Sequence, residues 1–246
     1  MTIDAQLERL YQQIELVRGS GDPKRRRLCI MSFVAFLTGE AHTDNPSTAS
    51  SLIRRYAMVV NDEMPDGLRQ RLKAFAPRLI GTNDGEDLAR VHVLAEAARD
   101  EILPRVESDF GLRSSTKEVA PAPCKGTRKQ AMTLQELVDK VAGLAAPSST
   151  SASDSLPSEL AKLIAHCGKC VQGARGEWYW LKAVDLLDRL CDVIGDQSRP
   201  VVQPERLASI EVFLNRRDEA QPHLLGAVAA LARVRNLISG FHALTW

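Results

Sequence analysis

The chain has 246 residues, with 32 basic and 31 acidic side chains and a formal net charge of +1. Hydrophobic residues make up 44%, charged residues 26% and aromatic residues 5%, the make-up of a globular protein that buries a sizeable core. This balance excludes a collagen-like, wholly disordered or disulfide-framework chain. It offers no charge excess that would make nucleic acid or anionic lipid an obligatory partner.

The apolar period is helical almost throughout. Ile3, Leu7, Leu10, Ile14 and Val17 form one amphipathic stripe, which ends at Gly19-Ser20-Gly21. Asp22-Pro23 reads as an N-cap followed by proline at the first helical position, opening a helix that is apolar from Leu28 to Leu37 and stops near Gly39. Asn45-Pro46 repeats that signal before a helix carrying Leu52, Ile53, Tyr56, Val59 and Val60. A short helix starts at Met64-Pro65-Asp66 and stops by Gly81; a longer one covers about 84–110, broken or kinked by Pro104, with Gly111 as its stop.

After Leu112 the period vanishes. Ser114 to Gln130 reads as a linker, and Thr133-Leu134-Gln135-Glu136 matches a capping box that opens a short helix. A Ser-rich run from Pro147 to Asp154 reads as a second, mobile linker. Helices are expected near Pro157–Val171 and Glu177–Ile194, around Leu207, Ile210, Phe213 and Leu214, and from Pro222 onward. Alternating strand runs are absent. The fold class is therefore all-α: two small helical bundles, 1–112 and 156–246, joined by flexible Pro/Ser-rich linkers over 113–155 with a short helix at about 133–145.

The N-terminus Met1-Thr2-Ile3-Asp4 lacks the apolar core of a secretory signal, and no stretch approaches the roughly 18 apolar residues of a spanning helix. Five sparse cysteines, Cys29, Cys124, Cys167, Cys170 and Cys191, suit a reducing cytosol. A cytoplasmic protein without membrane contact is expected.

Four constellations are candidates for function. Glu40, His42 and Asp44 lie within five residues at a helix-to-helix turn. With Asp62 as a further ligand they offer carboxylate and imidazole groups for a divalent metal or for acid–base work. Asn61-Asp62 sits at the far end of the intervening helix, roughly 22 Å along; the competing reading is that Gly39 stops one helix while Asp44 or Asn45 caps the next. Cys167-x-x-Cys170, with His166 and Cys191, is half of a zinc site, or else packs as buried thiols. Lys24-Arg25-Arg26-Arg27 can meet phosphate, a weak nucleic-acid signal, or can be a solvated, acid-paired face. Trp178-Tyr179-Trp180 gathers three aromatics as a candidate binding surface; residues two apart point about 200° around a helix axis, so one indole packs inward while the other packs across a domain boundary or meets a partner, and the competing reading is core packing.

The turn carries a resemblance as well. Gly39-Glu40-Ala41-His42-Thr43-Asp44-Asn45-Pro46, followed by Asn61-Asp62, Arg69-Gln70 and Ile80-Gly81-Thr82, resembles a family of uncharacterised bacterial and bacteriophage helical proteins marked by G-E-x-x-[ST]-D-x-P, N-D and I-G-T. The resemblance covers about residues 24–110, implies a bacterial, mobile-element origin and supplies no catalytic assignment. It departs at Ser47-Thr48-Ala49, where a cysteine is expected in many relatives.

Nucleotide-loop, dinucleotide, zinc-protease and serine-hydrolase motifs are missing. The expectation is a non-enzymatic helical protein-interaction or regulatory protein with a protein partner and no cofactor. The alternatives are a metal-dependent enzyme at the Glu40/His42/Asp44 turn, using zinc or another divalent metal, and a weak nucleic-acid-binding regulator.

Overall fold

The structure is a computed structural model that describes residues 3–112, 133–147, 152–195 and 202–214. The described residues are mostly helical, as the sequence period requires. They fall into two compact units, one within Tyr11–Val202 and a smaller one formed by residues 3–10 with 203–214.

In the smaller unit, the start of α1 (Ile3–Gln13) is tied to a helix over 204–214. Arg9 donates from Nε and Nη2 to one Glu211 oxygen at 3.2 and 2.5 Å, and Leu10, Leu207, Ile210 and Leu214 are buried. The expected helix at Leu207 to Leu214 is thus present. The one expected from Pro222, the linker Ser114–Gln130 and Cys124 lie outside the described residues.

The larger unit opens on a feature that helical periodicity does not announce. β1 (Glu15–Leu16), β2 (Gly21–Asp22) and β3 (Arg27–Leu28) form a small sheet in the order β1-β3-β2. β3 pairs parallel with β1, setting Glu15 beside Arg27, and antiparallel with β2, setting Asp22 beside Arg27. Two-residue strands are too short to show a period of 2, so Ile14 and Val17 read as helix while lying outside α1. Asp22 does act as a cap, accepting from the Lys24 N–H at 2.8 Å, but it opens only a 3-10 turn, Pro23–Arg25. Arg26 then takes the left-handed conformation at φ 58°, ending that turn.

α2 (Ile30–Thr38) starts instead at Cys29, whose sulfur accepts from the Ser32 N–H, and ends at Gly39, left-handed at φ 83°. The cap of α3 (Ser51–Glu63) is likewise not Asn45 but Ser50, whose Oγ accepts from the Ile53 N–H at 3.1 Å. α4 (Asp66–Arg69), a 3-10 segment (Gln70–Phe75) and α5 (Ala76–Leu79) come next. The expected long helix is α6 (Asp87–Ala97), a π-helical turn (Ala98–Ile102) and α7 (Leu103–Phe110). The wider turn lies just before Pro104, which has no N–H to continue the ladder. α8 (Leu134–Leu144) carries the expected capping box, with Thr133 and Glu136 bonded to each other's backbone N–H.

α9 (Ala152–Cys170) begins before Pro157, so part of the expected Ser-rich linker is helix, and α10 is Ala174–Asp192. Leu156, Leu160, Ala161, Leu163, Ile164, Ala165 and Cys167 are all buried, so α9 is apolar around most of its circumference and keeps a polar stripe along Lys162, His166 and Lys169. Such a helix belongs inside a core, and α9 packs against α3, α6, α8 and α10. Helices from both expected bundles, 1–112 and 156–246, thus pack on one another within the unit Tyr11–Val202.

Candidate functional site

The turn after α2 is built as a brace. Glu40 accepts from the Thr38 hydroxyl at 3.1 Å with one oxygen and from the Ser47 N–H at 2.9 Å with the other. The Asp44 carbonyl accepts from Arg54 Nε at 2.8 Å, and its carboxylate lies 3.6 Å from Arg54 Nη2. Thr43 closes a local turn by accepting from the Asn45 N–H, and His42 is exposed.

Asp62 works elsewhere, at the other end of α3. Its Oδ1 accepts from the Gly19 N–H at 3.0 Å. Beside it, Asn61 accepts from the Ile30 N–H at 3.2 Å and donates to the Val17 carbonyl at 2.8 Å. Arg69 donates to the Asn61 and Met64 carbonyls at 2.6 Å each, closing the C-terminus of α3. The Gln70 amide pairs with both Leu16 backbone groups, like an extra strand on β1. Asn61, Asp62 and Gln70 are therefore clamps on the sheet and its turn, while Arg69 closes α3. Glu40, His42, Asp44 and Asp62 are not brought together, and among the described residues no group of three or more His, Cys, Asp or Glu side chains is arranged to hold a metal.

The Cys167/Cys170 pair divides in the same way. His166 Nε2 lies 3.5 Å from Cys170 Sγ, whereas Cys167 is fully buried on α9 beside Tyr179. Burial and the nearby Asp109 push the Cys167 thiol up to about 12, so it is a neutral packing group rather than a thiolate. Cys191 is buried on α10, with Arg78 as its charged neighbour.

The basic run lies on the small sheet and its turn. Lys24, Arg25 and Arg27 are exposed and Arg26 is half-buried. Arg25 lies 3.7 Å from Asp22 and Arg27 3.2 Å from Glu15, so part of the run is acid-paired.

The aromatic cluster splits inward and outward. Tyr179 and Trp180 are buried. Trp180 lies over Gly168 so closely that a Cβ there would meet its ring at 2.7 Å. The Tyr179 hydroxyl donates to Asp109 at 2.9 Å, and burial pushes that hydroxyl's pKa up. Trp178 is half-buried at the surface. Its ring stands edge-on to Tyr179 at 5.0 Å, with the Arg105 guanidinium 5.1 Å and the Lys182 ammonium 5.9 Å from its centroid. Lys182 and Arg189 both bond Glu101, and Lys182's hydrogen bond is the main reason that carboxyl sits below its usual value. Close to Trp178 on α10, Leu181 is 46% exposed. Of the expected binding surface, only Trp178 faces outward.

One polar centre has almost no sequence signal. Arg90 has no exposed side-chain surface, yet it is forked onto Asp84 by two 2.7 Å hydrogen bonds and also reaches Asp87 at 3.2 Å. Its remaining donors meet the Thr82, Leu190 and Val193 carbonyls. All that marks it in the sequence is an arginine placed after the acidic turn Asp84-Gly85-Glu86-Asp87. No family model, curated protein or solved structure matches this chain.

Proposed function

We propose that this is a non-enzymatic helical protein-interaction or regulatory protein that docks a protein partner on the α10 face around Trp178. The observation that carries the reading is the pairing of a half-buried tryptophan with an exposed leucine three residues on. The Arg105 guanidinium and the Lys182 ammonium both lie over the indole. A rigid aromatic next to apolar surface and arginine is the composition of an interface hot spot. The carboxylates of the turn, by contrast, already serve the backbone and Arg54. The resemblance of residues 24–110 to bacterial and bacteriophage proteins supports a bacterial cytoplasm or mobile element as the setting. Among the described residues no helix is long and apolar enough to cross a membrane.

Affinity capture from the producing cell tests this with the wild type and Leu181→Asp. The variant changes an exposed position, so folding persists. Its partner recovery should fall by more than tenfold, as for loss of a hot spot of about 2 kcal/mol. Undiminished recovery, or turnover of a small molecule by the purified protein, contradicts the reading.

A further inference from the structure

A cleft of about 470 Å³ opens between the small sheet and the start of α4. Its lining contributes four guanidinium groups, from Arg18, Arg25, Arg27 and Arg69, against three carboxylates, from Glu15, Asp22 and Asp66. The volume is that of a small-molecule site, but such sites are mostly apolar and this one is ionic. Its ligand must therefore be small and charged.

The four arginines differ in how firmly they are held. Arg69 is a fixed cation: its side chain is 3% exposed and bonded to two carbonyls and to Asp66. Arg25 and Arg27 pair with Asp22 and Glu15, but all four side chains are at least 45% exposed. Pairs of this kind contribute about 0–1 kcal/mol and exchange readily for a better acceptor. Arg18 is exposed and has no ion pair among the described residues. The scaffold beneath is rigid. Asn61, Asp62 and Gln70 clamp the backbone from Leu16 to Gly19. Gly21, at φ 75°, lets β2 approach β3 so closely that a Cβ would lie 2.3 Å from the Arg27 carbonyl oxygen. Guanidinium forks held on a fixed frame suit a planar or tetrahedral oxyanion, and a phosphate dianion accepts from several at once.

We propose that this cleft is a binding site for the phosphate group of a phosphomonoester, held by Arg18, Arg25 and Arg27 against the fixed Arg69. The site is independent of the α10 docking face.

Calorimetric titration of the full chain with inorganic phosphate and with adenosine monophosphate tests it. The variants are Arg18→Gln and Arg25→Gln, with Arg71→Gln, an exposed arginine outside the cleft lining, as the control. Saturable binding of either probe is expected, weakened about tenfold by each cleft variant, as for loss of a charge-assisted hydrogen bond. The control should match the wild type. Binding of phosphate alone and of the nucleotide with equal affinity assigns recognition to the phosphate; preference for the nucleotide assigns it to the ester. The far-UV circular dichroism and unfolding midpoint of both cleft variants should be unchanged, separating lost binding from lost fold. Absence of saturable binding, equal loss in Arg71→Gln, or binding confined to a DNA oligonucleotide with a steep salt dependence overturns the proposal.

Discussion

Arg90 shows how a single side chain joins distant stretches of this chain. Its guanidinium satisfies five groups from the Thr82–Asp87 turn and the end of α10. A charge buried this way is tolerable because every partner is in place; removing one side of such a pair costs about 3–5 kcal/mol. Arg90→Met should therefore destabilise the larger unit by about that amount in denaturant titration. The pH dependence has a definite sign. Burial pushes the Asp84 carboxyl up, but the Arg90 fork and the Glu86 N–H outweigh it and hold it below its usual value. Folding thus favours the charged form. The stabilisation is complete above the unfolded carboxylate value near 4 and is lost as pH falls through the lower folded value. The unfolding midpoint should drop between about pH 5 and pH 3 in the wild type and drop less in Arg90→Met, where Asp84 loses the guanidinium fork and keeps only backbone N–H groups, chiefly that of Glu86, against its burial.

Elements are legible where their signal is long. α1, α3, α8 and α10 repeat apolar residues over several turns, and the Thr133/Glu136 capping box announces itself within four residues. Strands of two residues have no period to read, and the sheet exists because side chains from α3 and the 3-10 segment after α4 complete its hydrogen bonds. Asn45-Pro46 has the right local chemistry to cap α3, while the choice of Ser50 depends on Thr82 and Asp87, which bond it from more than thirty residues away. The Asn61-Asp62 pair looks like a potential ligand set for the same reason: its partners, Val17, Gly19 and Ile30, are remote in sequence. Asn61→Ala should leave the Val17 carbonyl and Ile30 N–H unpaired, each costing about 1–3 kcal/mol. Hydrogen exchange should then quicken in β1 and at the start of α2 while α8 keeps its wild-type protection.

At the scale of the molecule, an amphipathic stripe says that a face is buried and not what buries it. That is why 1–112 and 156–246 read as separate bundles, although α9 lies among α3, α6, α8 and α10. One core predicts one transition: circular dichroism and the fluorescence of Trp178 and Trp180 should report coincident unfolding of the larger unit. Leu160→Ala, in the middle of α9, should lower the stability of that whole transition by about 2–5 kcal/mol. Two separated transitions would favour two bundles instead. Packing also sorts the aromatic cluster, since Gly168 receives Trp180 and Asp109 receives Tyr179, leaving Trp178 and Leu181 as the outward pair. The docking role rests on that pair. Its most direct test is a photo-crosslinking amino acid placed at position 181 in the producing cell, with position 96, exposed on α6, as the control. A docking face predicts a discrete protein adduct at 181 that is absent at 96. No adduct at 181, or the same adducts from both positions, would contradict it.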